Sequence, residues 1–284
     1  MQQNNKFVTI IITKKEKYKM VNQDNTNKNL FLTPQSKITA VTSGFGSMGK
    51  TWLSVTLAHA LNLLYKSVLL FDANSGLLNT DFQLDINCRG YLNQVISGKL
   101  TLNQAVSPVN KKKFDVISGL MGSDLLEGVP LGRLQILREE LALLAQNYDN
   151  AVIDLPASEK ILHNLLPPAD LILVCTNEPA NVVATYDFLQ RNGSRFPYKS
   201  LQIVINYANS YEEGIRTYDT LRHGCEQYMS STPRLLGVIR RDTRVRDAIR
   251  NHVLLLNRYP NSEAAEDVMN IAKKLWIEET ADER

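Results

Sequence analysis

The chain has 284 residues, 44% of them hydrophobic, and a formal net charge of +3. This mixture suits a globular protein with a sizeable core, and so small a charge gives no argument for nucleic acid as a partner. Cys88, Cys175 and Cys225 are scattered and form no C-x-x-C pair, and the four histidines stand apart. That argues against a disulfide frame or a zinc site and fits a reducing cytoplasm.

Residues 1–37 are rich in Asn, Gln and Lys, with one apolar run, Phe7 to Ile12. The run is too short for a secretory core or a membrane span. A mobile polar tail is expected, with room for one strand or short helix, and Met20 is an alternative start. The tail could dock a partner, though plain disorder is preferred. Residues 38–284 are expected to form one domain.

That domain opens on an apolar strand, Ile38 to Val41, and an amphipathic helix follows from Trp52 to Tyr65. Between them lies Thr42-Ser43-Gly44-Phe45-Gly46-Ser47-Met48-Gly49-Lys50-Thr51, and Gly44, Gly49, Lys50 and Thr51 meet the pattern G-x-x-x-x-G-K-[ST]. Glycines let backbone N–H groups curl around phosphate oxygens. The helix N-terminus adds positive dipole, Lys50 reaches the β- and γ-phosphates, and Thr51 offers a hydroxyl to Mg²⁺.

A buried strand, Val68 to Phe71, ends at Asp72, and a polar loop runs from Ala73 to Asp81. Short helices are predicted at Tyr91–Ser97 and Thr101–Val106. A strand covers Phe114–Ser118, a loop Gly119–Pro130 and a helix Leu131–Asn147. The apolar run Ala151 to Ile153 ends in Asp154, followed by Pro156-Ala157-Ser158. An aspartate there can hold Mg²⁺ through water, and the turn after it can sense the γ-phosphate.

Next come a strand Leu171–Thr176, the turn Asn177-Glu178-Pro179 and a helix to Asn192. A strand Leu201–Ile205 ends in Asn206, and Ser210 with Glu213 reads as a capping box. The last strand is Leu235–Ile239. Asp242 caps a helix to Arg250, and Ser262 opens a final helix to about Ile277. Strands alternate with helices throughout, so the fold class is α/β: a doubly wound, mostly parallel β-sheet of P-loop NTPase type in a single domain.

From Lys37 to Trp276 the chain resembles the MinD/ParA group of P-loop ATPases (the SIMIBI class), and within it the flagellar-number regulators of FlhG/FleN type. The P-loop, Phe71 to Asp81 and Val152 to Ala157 carry the group resemblance. Thr176-Asn177-Glu178-Pro179-Ala180 resembles the group's Thr-x-Glu-Pro-x-Ala turn. Val204 to Ser210 with Glu213-Gly214, and Gly237 to Ile239, Asp242, Val245-Arg246, Ala248, Tyr259 to Ser262 and Ala264-Ala265, resemble the flagellar subgroup.

The resemblance implies a nucleotide switch in which ATP drives a sandwich dimer and hydrolysis releases it. ATP or ADP with Mg²⁺ is the implied cofactor. Gly44, Gly46, Ser47, Met48, Gly49, Lys50, Thr51 and Trp52 would lie at the phosphates. Thr51, Asp72 and Asp154 would hold the metal, Asn206 would meet the adenine edge, and Arg240 would stand near the base.

Four positions depart from the group. Phe45 stands where a lysine usually crosses the dimer, and Ser47 replaces a glycine, which narrows the permitted backbone angles. Asn74 replaces the aspartate that orients the attacking water, and an amide cannot accept a proton at neutral pH. Arg240 replaces a proline. Lys50 and Asn74 are therefore a catalytic pair with a degenerate second member, and weak or absent hydrolysis is expected. The other outcome is an active ATPase with substituted catalytic residues.

The implied partners are an FlhF-like GTPase, a flagellar transcription activator and switch-ring proteins, with a possible homodimer. The tail lacks the Asp-Gln-Ala-x-x-Leu-Arg segment by which such regulators stimulate the GTPase. Val268, Ile271, Ala272, Leu275 and Trp276 form an apolar stripe, but acidic residues surround Lys273 and Lys274. A helix packed on the domain is thus preferred to a membrane helix. Arg240 to Arg250 is interleaved with Asp242 and Asp247 and reads as a solvated face. A cytoplasmic protein, peripheral at the inner membrane or cell pole if it meets lipid, is expected. The alternatives are a ParA, TadZ or cellulose-type positioning ATPase and a metabolic phosphotransferase; no base beside the phosphates is found for the last.

Overall fold

The structure is a computed structural model that describes residues 18–19, 33–34, 37–64, 66–74, 80–119, 126–195, 200–228 and 232–282. Two short strands, β1 (Tyr18–Lys19) and β2 (Thr33–Pro34), pair antiparallel. The other residues assigned to a tail, 1–17, 20–32 and 35–36, lie outside the described residues, as do 75–79 and 120–125 of the two long loops.

The sheet consists of β3 (Lys37–Ser43), β4 (Val68–Asp72), β5 (Ser107–Asn110), β6 (Phe114–Ile117), β7 (Asn150–Asp154), β8 (Asp170–Thr176), β9 (Leu201–Ala208) and β10 (Arg234–Arg240). Their order across the sheet is β10-β9-β8-β3-β7-β4-β6-β5. Every pairing is parallel except β5 with β6. Parallel strands are covered on both faces, which is why these segments read as nearly continuous apolar runs.

The helices are α1 (Lys50–Leu63), α2 (Thr80–Leu84), α3 (Leu92–Ile96), α4 (Leu102–Ala105), α5 (Leu131–Ala145), α6 (Glu159–Leu165), α7 (Pro179–Asn192), α8 (Tyr211–Tyr228), α9 (Thr243–Arg250), α10 (Leu255–Arg258) and α11 (Glu263–Asp282). Alternate strand residues feed two cores. Ala40, Ile153, Leu173 and Ile203 pack under α3 to α8, while Val41, Val152, Val174 and Val204 pack under α1 and α9 to α11. The period of two in a strand produces this sorting.

Chain order places β3 between β7 and β8, so the path leaves it toward β4 on one side and later returns to β8 on the other. Open α/β sheets bind ligands at such a reversal, outside the strand C-termini. The ends of β3, β4 and β7 meet there, with Asp72 and Asp154 directly opposed across β4 and β7.

Several elements differ from the sequence reading. α1 begins at Lys50, not Trp52, so Lys50 and Thr51 occupy its first turn. β5 holds Pro108 and was not predicted; its sheet-edge position tolerates a residue that cannot donate. α2, α6 and α10 are seven residues or shorter, below the length at which helical periodicity shows. β9 runs on to Ala208 and carries Asn206 inside the strand.

The capping box at α8 is only half built. Glu213 N–H donates to Ser210 Oγ at 3.1 Å, but the Glu213 carboxylate accepts from Asn209 N–H at 2.6 Å and Asn177 Nδ2 at 2.7 Å. Asp242 does cap α9, accepting from Arg244 N–H at 2.9 Å. In α11 the residues Val268, Ile271, Ala272 and Leu275 are buried in the core shared with α1 and β10. Among the described residues no helix is long and apolar enough to cross a membrane.

Candidate nucleotide site

The loop from Gly44 to Gly49 joins β3 to α1, and two of its glycines have steric reasons. A β-carbon on Gly44 would stand 2.3 Å from the Ala184 carbonyl oxygen of α7. Gly49 has φ +87° and a β-carbon there would stand 2.4 Å from Asn206 Nδ2. Ser47 adopts φ +61°, a left-handed conformation that costs a side-chain-bearing residue about 1 kcal/mol. Met48 is fully buried, and Phe45 at the loop tip is 64% exposed. Ser43 Oγ donates to the Phe45 carbonyl. Thr42 Oγ1 donates to the Pro156 carbonyl at 3.1 Å, which sets the turn after Asp154 beside the loop.

Helix α1 aims its first turns at Asp154. Thr51 Oγ1 donates to Asp154 Oδ2 at 2.6 Å and accepts from Asn74 Nδ2 at 3.0 Å. Ser54, one turn after Lys50, donates to Asp154 Oδ1 at 3.2 Å. Asp72 accepts from Asn74 N–H at 2.9 Å, from Thr80 N–H at 3.2 Å and from Thr80 Oγ1 at 3.0 Å. Lys50 is buried, with its amine held below the usual lysine range by desolvation and partly restored by Asp154.

Both carboxyls lie out of reach of water. Burial pushes Asp72 up to about 7, and the negative charge of Asp154 adds to the shift. Burial also raises Asp154, while Thr51, Lys50, Ser54 and Asn74 pull against it. Asp72 and Asp154 are opposed and buried, and Lys50 offsets the charge of Asp154, which leaves the pair under-compensated. A hydroxyl and two carboxylates are the hard oxygen donors that Mg²⁺ takes. The residues present therefore fit a magnesium–nucleotide complex, while Gly44 and Gly49 let the loop pack closely against α7 and β9.

The remaining predicted positions divide. Asn206 is buried beside the loop; its Nδ2 donates to the Met48 carbonyl at 2.9 Å and its Oδ1 accepts from Tyr207 N–H at 2.9 Å. Trp52 is packed into the α1 side of the core. Gly46 has open space where a β-carbon would stand. Arg240 is committed to α11: Nε and Nη2 grip Asp267 as a fork, each at 2.9 Å, and Nη1 donates to Glu263 at 2.8 Å. Sequence reasoning missed Ser54 and Thr80, which bond Asp154 and Asp72. Ser54 was findable at four residues from Lys50 on one helix face; Thr80 gave no signal inside a polar loop.

A family profile described as the CobQ/CobB/MinD/ParA nucleotide binding domain matches residues 39–256. The antiactivator FleN of Pseudomonas aeruginosa is 26% identical over 244 residues, covering 84% of this chain and 86% of the relative. The flagellum site-determining protein YlxH of Helicobacter pylori is 24% identical over 242 residues, covering 84% and 81%. The solved structure of the septum site-determining protein MinD complexed with Mg-ADP, from Pyrococcus horikoshii, superposes with a TM-score of 0.68 at 21% identity, covering 84% of this chain and 96% of that one. The profile covers more than half of the chain, and the chain belongs to the CobQ/CobB/MinD/ParA nucleotide-binding family.

Proposed function

We propose that this chain is an ATP- or ADP-binding regulatory switch or scaffold of the flagellar-number type, with weak or absent ATP hydrolysis. The observation that supports this reading most strongly is the position of Asn74, whose amide donates to Thr51 Oγ1 at 3.0 Å. The side chain faces the metal-binding hydroxyl as a neutral donor. It brings no negative charge to orient a water and no base to take its proton. Phe45, exposed at the loop tip, offers no cation to a partner's phosphates.

Binding needs neither group. The backbone of residues 44–51 wraps the phosphates, Lys50 and the α1 N-terminus neutralise them, and Thr51, Asp72 and Asp154 hold Mg²⁺ directly or through water. Bound magnesium supplies charge neutralisation to both the phosphates and the buried carboxylates. The switch then acts through partners: an FlhF-like GTPase, a flagellar transcription activator, switch-ring components or a second copy of the chain, in the cytoplasm or at the cell pole. The names of FleN and of the flagellum site-determining YlxH support this choice within the family.

A turnover assay on the purified protein tests the hydrolysis claim. Phosphate release at background level, unchanged by Lys50→Ala, is expected. Steady turnover that Lys50→Ala abolishes would refute it and identify an active ATPase. A deletion strain tests the pathway: changed flagellar number supports the reading, and misplaced plasmid, pilus or cellulose machinery supports a positioning ATPase instead.

A further inference from the structure

Tyr207 follows Asn206 near the end of β9 and sits on the rim of the loop. Its φ is +60°, in the left-handed region. For a bulky residue that conformation is unfavourable and rare. Strain of this kind persists where the surroundings enforce it, and it clusters at ligand sites. The backbone reason is visible: Tyr207 N–H turns in to donate to Asn206 Oδ1 at 2.9 Å. The side-chain consequence is an aromatic ring laid toward the loop. The phenol oxygen would stand 3.1 Å, and the ring carbon bearing it 3.4 Å, from a β-carbon placed on Gly49. Yet the residue keeps 37% of its surface exposed, so part of the ring remains uncovered.

Three features thus converge at the β9 side of the loop. Gly49 ends the phosphate cradle. Asn206 keeps one amide hydrogen and one oxygen lone pair beyond its two intramolecular bonds. Tyr207, next in the chain, brings an aromatic ring that reaches Gly49 and stays partly exposed. Residues that grip phosphate carry charge, N–H or O–H groups; here only the phenol O–H is such a group, and the ring behind it is apolar.

Resting on the nucleotide reading above, we infer that the Tyr207 ring is the platform on which the nucleobase stacks, and so sets base-side affinity. Every base has a π-face, and stacking on an aromatic residue changes affinity by about five- to a hundredfold. A purine overlaps a phenol ring more fully than a pyrimidine does, so ADP is favoured over CDP.

Calorimetric titrations with Mg-ADP, Mg-CDP and magnesium tripolyphosphate test this on the wild type and on Tyr207→Phe, Tyr207→Ala and Tyr207→Gly. Tyr207→Phe keeps ADP affinity within about twofold. Tyr207→Ala and Tyr207→Gly weaken ADP about tenfold and leave tripolyphosphate unchanged, since only the base loses its contact. Glycine adopts the observed φ freely, so Tyr207→Gly should melt within about 3 °C of the wild type, which separates lost stacking from lost fold. Equal or tighter ADP binding by the alanine and glycine variants overturns the inference, because the ring would then ignore or obstruct the base. An equal loss for ADP and tripolyphosphate overturns it too, since the ring would be acting on the loop. A wild type that binds none of the three ligands rejects the nucleotide reading itself.

Discussion

Replacing Asp72 with asparagine should stabilise the metal-free protein at alkaline pH. Asp72 is buried to 1% exposure at the end of β4, opposite Asp154, and among the described residues its hydrogen-bond partners are the neutral Asn74 and Thr80. Its carboxyl is pushed up to about 7 from an ordinary value of 3.8. The folded state therefore binds a proton more tightly than the unfolded chain. Stability contributed by that proton is present below pH 4 and is lost as pH rises toward 7. A shift of this size corresponds to an upper bound of about 4 kcal/mol at pH 8. Asparagine removes the charge but turns one N–H donor against Thr80 or Asn74, which returns about 1–2 kcal/mol of the gain. A net increase of about 2 kcal/mol is expected, raising the melting temperature by roughly 4–6 °C for a chain of this size. Thermal melts in EDTA at pH 5 and pH 8 measure it. Asp72→Asn should exceed the wild type at pH 8, and the difference should shrink at pH 5. Mg-ADP should reverse the order by stabilising the wild type more. A variant that melts below the wild type at pH 8 without metal would show that the aspartate pair is not an electrostatic burden, and the argument for a cation site would fail.

Other perturbations separate binding, chemistry and scaffold. Asn74→Asp combined with Phe45→Lys should raise ATP turnover about a hundredfold, the usual contribution of a placed acid–base group, in a phosphate-release assay. Gly44→Ala should destabilise by about 2–3 kcal/mol in calorimetry, because its β-carbon would meet the α7 backbone at 2.3 Å, which cannot yield as a side chain can. Arg240→Ala should cost about 2 kcal/mol by leaving the buried Asp267 carboxylate unpaired, and Asp267→Asn in the same chain should recover most of it.

Much of the site could be read from residue order, for definable reasons. The run Ile38–Val41 is short, apolar and followed by a glycine-rich turn, so strand, loop and helix follow from local chemistry. Val68–Phe71 and Ala151–Ile153 end in aspartates, and a parallel sheet has to bring those ends together. Pairing of Asp72 with Asp154 is a consequence of topology that neither segment announces alone. Local chemistry is silent where a contact is long-range. Thr80 lies in a polar stretch and gains its role only when α2 folds back on Asp72. Gly44 reads as a phosphate glycine, yet α7 also demands it through a contact 140 positions along the chain. The family resemblance implies Arg240 near the base, while Asp267 of α11 holds its guanidinium. The left-handed backbone of Tyr207 contradicts its residue type and could only come from the folded chain.

A calorimetric titration of the wild-type chain with Mg-ADP and Mg-ATP tests the central claim most directly. Saturable binding at micromolar to submillimolar concentration, lost in Lys50→Ala, is predicted. Absence of binding by either nucleotide at millimolar concentration would contradict it, leaving a nucleotide-binding fold that no longer holds its ligand.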